Sequence, residues 1–461
     1  MSMMLRVWLL FLIFLNGYVS LSMELVVIRQ LSFFVGSSAV ITSIIMGVFL
    51  GFMSLGYFKG SAIKSPRGGV RKILFTSFIV VAAMSVLSSS FTLINQYFGL
   101  MYSWNIHSTV IQTFIYSFIF LSAAPFLFGF NTALLSRYLH KHSINYTGNI
   151  MAWDTIGSVL GSLATTLILM PFIGVNYTVI LITILSLIGA FIARPKITSL
   201  VIFAVVLIPT YIINTDYFLN QKHGILVNNA NSTISVAEFP DTTALFMNSV
   251  PMSLYNRNTG VAAEYIEYIN RNFIDNMPRD TKRDILVLGA GGFTAGINDT
   301  YNSYTFVDIE KTLKKVSEKH FLGKKLTPNK EFIVQDASQY LKNTYRKYDL
   351  IILDVYSNSY QIPEGLITIE FMERIKSRVK DGGVIAMNVI CSASFEDKFT
   401  RVFDNTFRTV FKNNTQRQVI GYLNPWRSEK VPANVVYIYY NKENSGRVYT
   451  INKTPVVYDM Y

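Results

Sequence analysis

The residue types best suited to chemistry lie in the last third of the chain. The apolar run Ile285-Leu286-Val287-Leu288 ends in Gly289-Ala290-Gly291-Gly292. Glycines at the end of a strand allow a tight turn and close approach of a ligand to the backbone. Asp308 follows Gly289 by 19 residues, at the end of the next apolar run. An acid about 20 residues on is placed to bind ribose hydroxyls. The glycine turn alone reads equally as an ordinary strand-to-helix turn, and the spacing to Asp308 favours a nucleoside. Asp336 closes a third run, Val334-Gln335-Asp336-Ala337. Ligands of such sheets bind outside the carboxyl ends of the strands, so a side chain there can meet an adenine amino group. It would serve equally as a helix N-cap. Asp354 closes a fourth run, Ile351-Ile352-Leu353-Asp354. A carboxylate there can orient or deprotonate an amine nucleophile, or cap a loop.

The elements that position these residues follow from the pattern. Strands are expected at 284–288, 304–307, 331–334, 350–353 and 384–388, with amphipathic helices between them at 311–320 and 368–379. Strand and helix in alternation build a doubly wound α/β sheet. Further strands at 418–423 and 434–440 could close its edge. Upstream, 232–238 and 245–250 read as strands around the turn Phe239-Pro240-Asp241.

The first half lives in another solvent. Residues 1–220 hold 11 Lys and Arg against 3 Asp and Glu, and the remainder 30 against 25. Over the whole chain 51% of residues are hydrophobic and 15% charged, where a soluble domain carries about 25% charged. Spanning a bilayer takes about 20 apolar residues. Seven stretches qualify: about 5–24, 38–58, 73–93, 109–134, 151–171, 176–193 and 198–215. Gly51 and Gly56, or Gly157 and Gly161, would let helix backbones approach closely. The first stretch reads as a span rather than a removed signal peptide.

Loops 59–72 (with Lys64, Arg67), 135–150 (with Lys141) and 194–196 are basic, whereas 94–108 and 172–176 carry no Lys or Arg. Positive loops face the cytoplasm, and seven spans would then put the last half outside. A cytosolic ligand argues for inside, and a cytoplasmic placement at the inner (plasma) membrane is the expectation adopted. Glu24, Arg29 and Asp154 fall in or near spans. Charges there should pair or line a polar cavity, with Glu24 or Asp154 beside Arg29 as the candidate pair. The +13 net charge suits lipid headgroups better than nucleic acid, because the basic residues of the first half lie mostly in short loops. One cysteine, Cys391, and five scattered histidines point to no metal.

The chain is thus expected to be multi-domain. A helical membrane bundle takes 1–215, a β-rich segment 216–280, and a Rossmann-like, methyltransferase-type domain 281–461. With these residues in view, the chain resembles the spermidine synthase family of polyamine aminopropyltransferases, in its membrane-fused branch. In the first half the likeness rests on Met23-Glu24-Leu25-Val26, Arg29-Gln30-Leu31, Gly36-Ser37-Ser38 and Trp153-Asp154-Thr155-Ile156-Gly157. In the second it rests on Tyr348-Asp349-Leu350-Ile351 through Asp354, Ile362-Pro363, Glu370-Phe371 and Asp381-Gly382-Gly383-Val384 through Asn388.

The resemblance implies a small β-domain before a methyltransferase-like sheet. It implies transfer of an aminopropyl group from decarboxylated S-adenosylmethionine to an amine, and commonly a homodimer. Carried over, Gly289 and Gly291 form the ligand loop, Asp308 holds ribose, Asp336 with Ala337 meets adenine, and Asp354 is the general base. Tyr265 and Glu267 match a tyrosine–glutamate pair near the amine. The chain departs from the family at three places. The family's GGGDGG loop is here Gly289-Ala290-Gly291-Gly292-Phe293-Thr294, without the amine-binding aspartate. Ser357 stands where a second aspartate follows the base. The upstream glutamine is Thr233 or absent. Methyl transfer from S-adenosylmethionine to a lipid-associated acceptor, and a degenerate nucleoside sensor gating a transport path, remain alternatives.

Overall fold

The computed structural model describes residues 3–63, 69–140, 147–355, 364–422 and 432–442. Lys64, Arg67, Lys141, Ser357 and Ile362-Pro363 lie outside them. The chain divides into two compact units. The first comprises Met1–Ser235 and Met247–Ser249, the second Val236–Phe246 and Val250–Tyr461.

The first unit is helical: α1 (Met3–Val35), α2 (Ala39–Ala62), α3 (Val70–Ser89), α4 (Phe91–Ser103), α5 (Thr109–Phe120), α6 (Ala123–His140), α7 (Thr147–Ala164), α8 (Met170–Phe172), α9 (Gly174–Ala193), α10 (Ile197–Ile213) and α11 (Asp216–His223). Among the described residues, five helical stretches are long and apolar enough to cross a membrane. The number rises to seven if the bent pairs at 109–139 and 197–223 each count as one. Two expectations change here. The first stretch does not stop near residue 24: α1 continues to Val35, so Glu24 and Arg29 lie inside it. Residues 94–108, expected as a loop, are largely α4, whose Phe91, Ile94, Phe98 and Met101 are buried.

A π-helical turn, Thr165–Leu169, joins α7 to α8. Small residues bring α1 and α7 together. A Cβ on Gly157 would collide with the Phe14 carbonyl, and one on Gly161 with that of Tyr18. Gly56 likewise lies against Phe126 of α6, but Gly51 has open space around it and plays no such part. The unit ends in β1 (Ile225–Asn228), antiparallel to the start of β2 (Thr233–Glu238).

Arg29 is held by polar groups of the 229–233 segment and not by Glu24 or Asp154 among the described residues. Its Nε donates to the Asn229 carbonyl at 2.8 Å and its Nη2 to Thr233 Oγ1 at 3.2 Å. Thr233 Oγ1 in turn donates to Asn228 Oδ1 at 3.0 Å. Asn228 Nδ2 reaches Gln30 Oε1 at 3.1 Å and Asn176 Oδ1 at 2.8 Å. Arg29 therefore anchors the 228–233 segment to α1, and Thr233 belongs to that anchor.

The second unit holds the hairpin between β2 and β3 (Thr243–Met247), then β4 (Val250–Tyr255) and α12 (Glu264–Ile269). The expected strand 245–250 is broken, because Asn248 and Ser249 turn the chain with positive φ. The main sheet follows: β5 (Asp284–Leu288), β6 (Ser303–Asp308), α13 (Leu313–Val316), β7 (Lys330–Val334), α14 (Ala337–Asn343), β8 (Tyr348–Leu353), α15 (Ile369–Ser377), β9 (Val379–Ser392), α16 (Lys398–Phe411), β10 (Thr415–Tyr422) and β11 (Pro432–Tyr440). Its order is β10-β11-β9-β8-β5-β6-β7. The strands β7, β6, β5, β8 and β9 run parallel, and β11 enters antiparallel between β9 and β10. This is the Rossmann-like sheet expected from the alternation, with a reversed strand near one edge.

Local chemistry explains most of these elements. Thr368 caps α15 by accepting from the Phe371 N–H, and Phe371, Met372 and Ile375 are its buried face. Asp397 caps α16 in the same way. These helices and the sheet share one core that includes Leu286, Ile351, Ile385, Phe403 and Tyr437.

The glycine turn does not lead into a helix, as an ordinary strand-to-helix turn would. Residues 290–300 are successive turns. Phe293 takes φ +61° and is fully buried, with ring centroids 5.0 Å from Phe306 and 5.2 Å from Phe332. The Asp299 carboxylate accepts from the Tyr301 N–H and the Tyr304 hydroxyl, which fixes the turn instead of a helix.

Candidate active site

Parallel register sets the site. Leu288 pairs with Val307 on one side and with Leu353 on the other. Gly289 N–H donates to the Val307 carbonyl and Asp354 N–H to the Leu288 carbonyl, both at 2.9 Å. Gly289, Asp308 and Asp354 therefore stand side by side where β5, β6 and β8 end. Gln335 N–H donates to the Asp308 carbonyl at 2.9 Å, which brings the end of β7, and Asp336, alongside. The four candidate positions share one rim, the carboxyl edge at which open α/β sheets bind ligands.

The glycine loop is shaped by contact as well as by φ. Gly289 has φ +90°, and a Cβ on it would strike the Asp354 carbonyl. Gly291 has φ +48°, with Ser253 Oγ 2.9 Å from its ideal Cβ position. Ser253 Oγ, from β4, accepts from the Gly292 N–H at 2.8 Å. Gly292 stands fourth in the loop, where GGGDGG has its aspartate. A Cβ there would enter the Phe321 ring, so no larger side chain fits without moving that ring. The next side chain, Phe293, fills the core beneath the loop and does not plug the rim.

Asp354 is the best-defined group. Its Oδ2 accepts from the Tyr265 hydroxyl at 2.7 Å and its Oδ1 from Asn388 Nδ2 at 2.9 Å. Tyr265 comes from α12. Asn388 comes from β9, where the pairing of Leu353 with Met387 puts it level with Asp354. Burial pushes the Asp354 carboxyl above the usual carboxylate range, and the hydrogen bonds from Asn388 and Tyr265 oppose that rise. A carboxylate so held has a fixed orientation and raised basicity, as a general base requires.

Asp308 is turned toward its own loop. Oδ2 accepts from the Ala290 N–H at 2.9 Å and Oδ1 from the Glu310 N–H at 3.0 Å. Burial raises its pKa against those bonds. Each oxygen keeps lone pairs beyond the bond drawn, so ribose hydroxyls can still donate to it. Asp336 is the N-cap of α14, with Oδ1 accepting from the Gln339 N–H at 2.9 Å, and Ala337 is the buried first residue of that helix. Capping uses one oxygen and leaves the other for a ligand.

Glu267 is not brought to Asp354 by any contact. Its Oε1 accepts from the Ala262 N–H at 2.8 Å, and its Oε2 lies 3.9 Å from Arg271 Nε. It serves the start of α12, the helix that delivers Tyr265. Asn388 closes an expected strand and a stretch of the resemblance, but the sequence assigned it no part in the site. The available signal was an amide closing the apolar run Val384–Met387, and the structure shows it 3% exposed in a central strand. Among the described residues, no three His, Cys, Asp or Glu side chains converge so as to hold a metal ion.

Comparison with known proteins finds one family for part of the chain. Residues 271–421 match the family model of the spermine/spermidine synthase domain, which covers Asp308, Asp336, Asp354 and Asn388. Polyamine aminopropyltransferase 2 of Pseudomonas aeruginosa is 26% identical over 162 residues, which are 32% of this chain and 46% of that protein. Polyamine aminopropyltransferase 2 of Aquifex aeolicus is 22% identical over 402 residues, covering 81% of this chain and 77% of that protein. That match is longer than the second unit and so takes in part of the helical one. The chain spans about half the length of the Pseudomonas protein it matches. Among solved structures, a probable spermidine synthase from Corynebacterium glutamicum aligns at a TM-score of 0.39 and 20% identity, over 49% of this chain and 82% of that one. Over residues 271–421 the chain is spermidine synthase-like.

Proposed function

We propose that this spermidine synthase-like chain is a membrane-bound transferase that moves the aminopropyl group of decarboxylated S-adenosylmethionine to an amine. The observation that carries the reading is the Tyr265–Asp354–Asn388 arrangement beside the Gly289 turn, of which Asp354, Asn388 and Gly289 fall inside the stretch that matches the synthase domain. The sulfonium carbon of the co-substrate is already activated. The protein has to align the nucleophile in line with it and accept its proton. Asp354 takes that proton on the oxygen nearest the amine, while Asn388 and Tyr265 hold the carboxylate in place. The backbone at Gly289 and Gly291 lets the sulfonium end come close. Asp308 binds the ribose and Asp336 the adenine. The amine nitrogen gains the propyl carbon, methylthioadenosine leaves with the sulfur's electron pair, and one proton passes to Asp354.

The helical unit supports an inner-membrane location, since its described residues include five to seven apolar helical stretches of sufficient length. A cytoplasmic second unit would give it access to the co-substrate. A homodimer fits the same family and is read directly by the mass of the purified protein in detergent.

A second reading draws on the Phe321 ring behind Gly292. The amine-binding aspartate of the family loop is missing and its place is closed, which favours an acceptor other than a small polyamine. Methyl transfer from S-adenosylmethionine to a lipid-associated acceptor is that alternative. Calorimetry with the purified protein separates the two. Decarboxylated S-adenosylmethionine is expected to bind at least tenfold more tightly than S-adenosylmethionine. The reverse order would favour methyl transfer, and no binding of either would remove the enzymatic reading.

A further inference from the structure

Two carboxylates of the helical unit have no cation beside them. Asp154 of α7 accepts at Oδ1 from Asn16 Nδ2 at 3.3 Å and at Oδ2 from Thr132 Oγ1 at 3.2 Å. Asn16 Nδ2 also reaches the Phe128 carbonyl and Thr132 Oγ1, and Asn131 Nδ2 donates to Asn16 Oδ1 at 3.1 Å. Helices α1, α6 and α7 thus meet in a cluster of amides, a hydroxyl and a carboxylate. Asn16, Asn131 and Thr132 are at most 4% exposed. Asn131 Oδ1 is buried there without a partner. Asn16, Ser20 and Glu24 recur at four-residue spacing, which puts them on one face of α1. Ser20 and Glu24 are each 5% exposed, and Glu24 Oε1 has no hydrogen-bond partner. Among the described residues, no Lys, Arg or His lies within ion-pair distance of either carboxylate.

The packing makes these groups converge. Ser158 Oγ donates to the Gly17 carbonyl and Ser22 Oγ to that of Gly161, so α1 and α7 advance in the same direction. Thr165, one turn beyond Gly161, stands level with the turn of α1 that carries Glu24. Its buried hydroxyl also has no partner. It opens the π-helical turn Thr165–Leu169, a distortion frequent at functional sites.

We propose that the helical unit binds a cationic amine between α1, α6 and α7, with Asp154 and Glu24 holding its charged ends. This rests on the reading of the second unit as an amine-modifying transferase and assigns the same class of compound to a second site. The donor set argues for ammonium over a metal ion. Hard cations take about six or more oxygens, and fewer free ones converge here, since Asp154 already accepts from Asn16 and Thr132. An ammonium offers three N–H donors, and Asn131 Oδ1 and the Asp154 oxygens have lone pairs to receive them. The eight residues from Asn16 to Glu24 rise about 12 Å along the helix, with Ser20 between. One ammonium cannot neutralise both carboxylates over that distance, but a chain with an amine at each end can.

The test is equilibrium binding of radiolabelled spermidine to the full-length protein in nanodiscs. Wild type is compared with Glu24→Gln/Asp154→Asn and with Asn131→Leu, which removes an acceptor and no charge. The double variant is expected to lose one saturable site of the wild type, and Asn131→Leu to weaken that site at least tenfold. Turnover by the second unit should be unchanged in both. Equal numbers and strengths of sites in all three proteins would overturn the proposal. So would full displacement of spermidine from that site by sodium at equal concentration. The transferase reading is judged separately by turnover: if turnover is absent while the double variant still loses a site, the transferase reading fails and the intramembrane site stands.

Discussion

The two ends of the central sheet are built from the same strands and treat their carboxylates in opposite ways. At the amino end, Asp284 opens β5 and is bonded by Lys380 Nζ at 2.9 Å and by Arg346. Asp349 of β8 takes Lys380 Nζ at 2.8 Å and lies 3.6 Å from Arg283. Burial alone would raise the Asp284 pKa, but the Lys380 and Arg346 contacts outweigh it and hold that carboxyl below the usual range. At the carboxyl end, the donors to Asp308 and Asp354 among the described residues are neutral, and burial pushes both upward. A protein built for stability alone would pair both sets. Leaving acids without cations at the ligand rim spends stability on reactivity, the usual compromise of an active site.

Substitutions can break the contrast at either end. Asp354→Asn is expected to lower kcat by about 10²- to 10⁴-fold, while leaving the melting temperature equal or higher, because a buried negative charge disappears. A matching fall in melting temperature would mean that Asp354 is structural. Tyr265→Phe removes one donor and keeps the ring. Turnover should drop about tenfold, in line with a hydrogen bond to a charged group, and the acid limb of the pH–rate profile should move to higher pH, since the anion has lost support. A profile that does not move would detach Tyr265 from the base.

Asp284→Asn probes the other rim. Stability should fall by about 1 kcal/mol in chemical denaturation, the scale of partly exposed ion pairs, with kcat unchanged. Acidification sharpens the comparison without any mutation. Asp354 must be unprotonated to accept a proton, so activity falls as pH drops through its raised pKa. Asp284 has a lowered folded-state pKa. Its stabilising contribution is complete above the ordinary carboxylate value of about 3.9 and is lost only as pH falls through the lowered one. Activity should therefore disappear at a higher pH than the fold, as read by parallel rate and circular-dichroism titrations.

Much of the second unit was legible because its signals are local. The apolar run 284–288 is the observed β5, and the acids ending 308 and 354 fall on the rim because parallel strands put every carboxyl end on one side. The turns that follow Gly292 were not legible. The packing of Phe293 on Phe306 and Phe332 is a tertiary contact, and it overrides the strand–helix alternation. Asn388 was missed for a related reason, since its neighbour across the sheet is set by β8–β9 register, not by spacing along the chain. The contacts of Glu267 with the start of α12 were equally out of reach of the sequence, and its place beside an amine rests on the resemblance alone. In the helical half, hydropathy located the apolar stretches, yet one partner of Arg29 lies 200 residues away at Asn229, beyond any window of the sequence.

The central claim is that the carboxyl rim transfers an aminopropyl group with Asp354 as base. Incubating the full-length protein with decarboxylated S-adenosylmethionine, S-adenosylmethionine, polyamines and lipid extract, and identifying the nucleoside product by mass spectrometry, tests it most directly. Methylthioadenosine that forms with wild type and not with Asp354→Asn is the predicted result. Accumulation of S-adenosylhomocysteine, or methylthioadenosine formed equally by the variant, would contradict it.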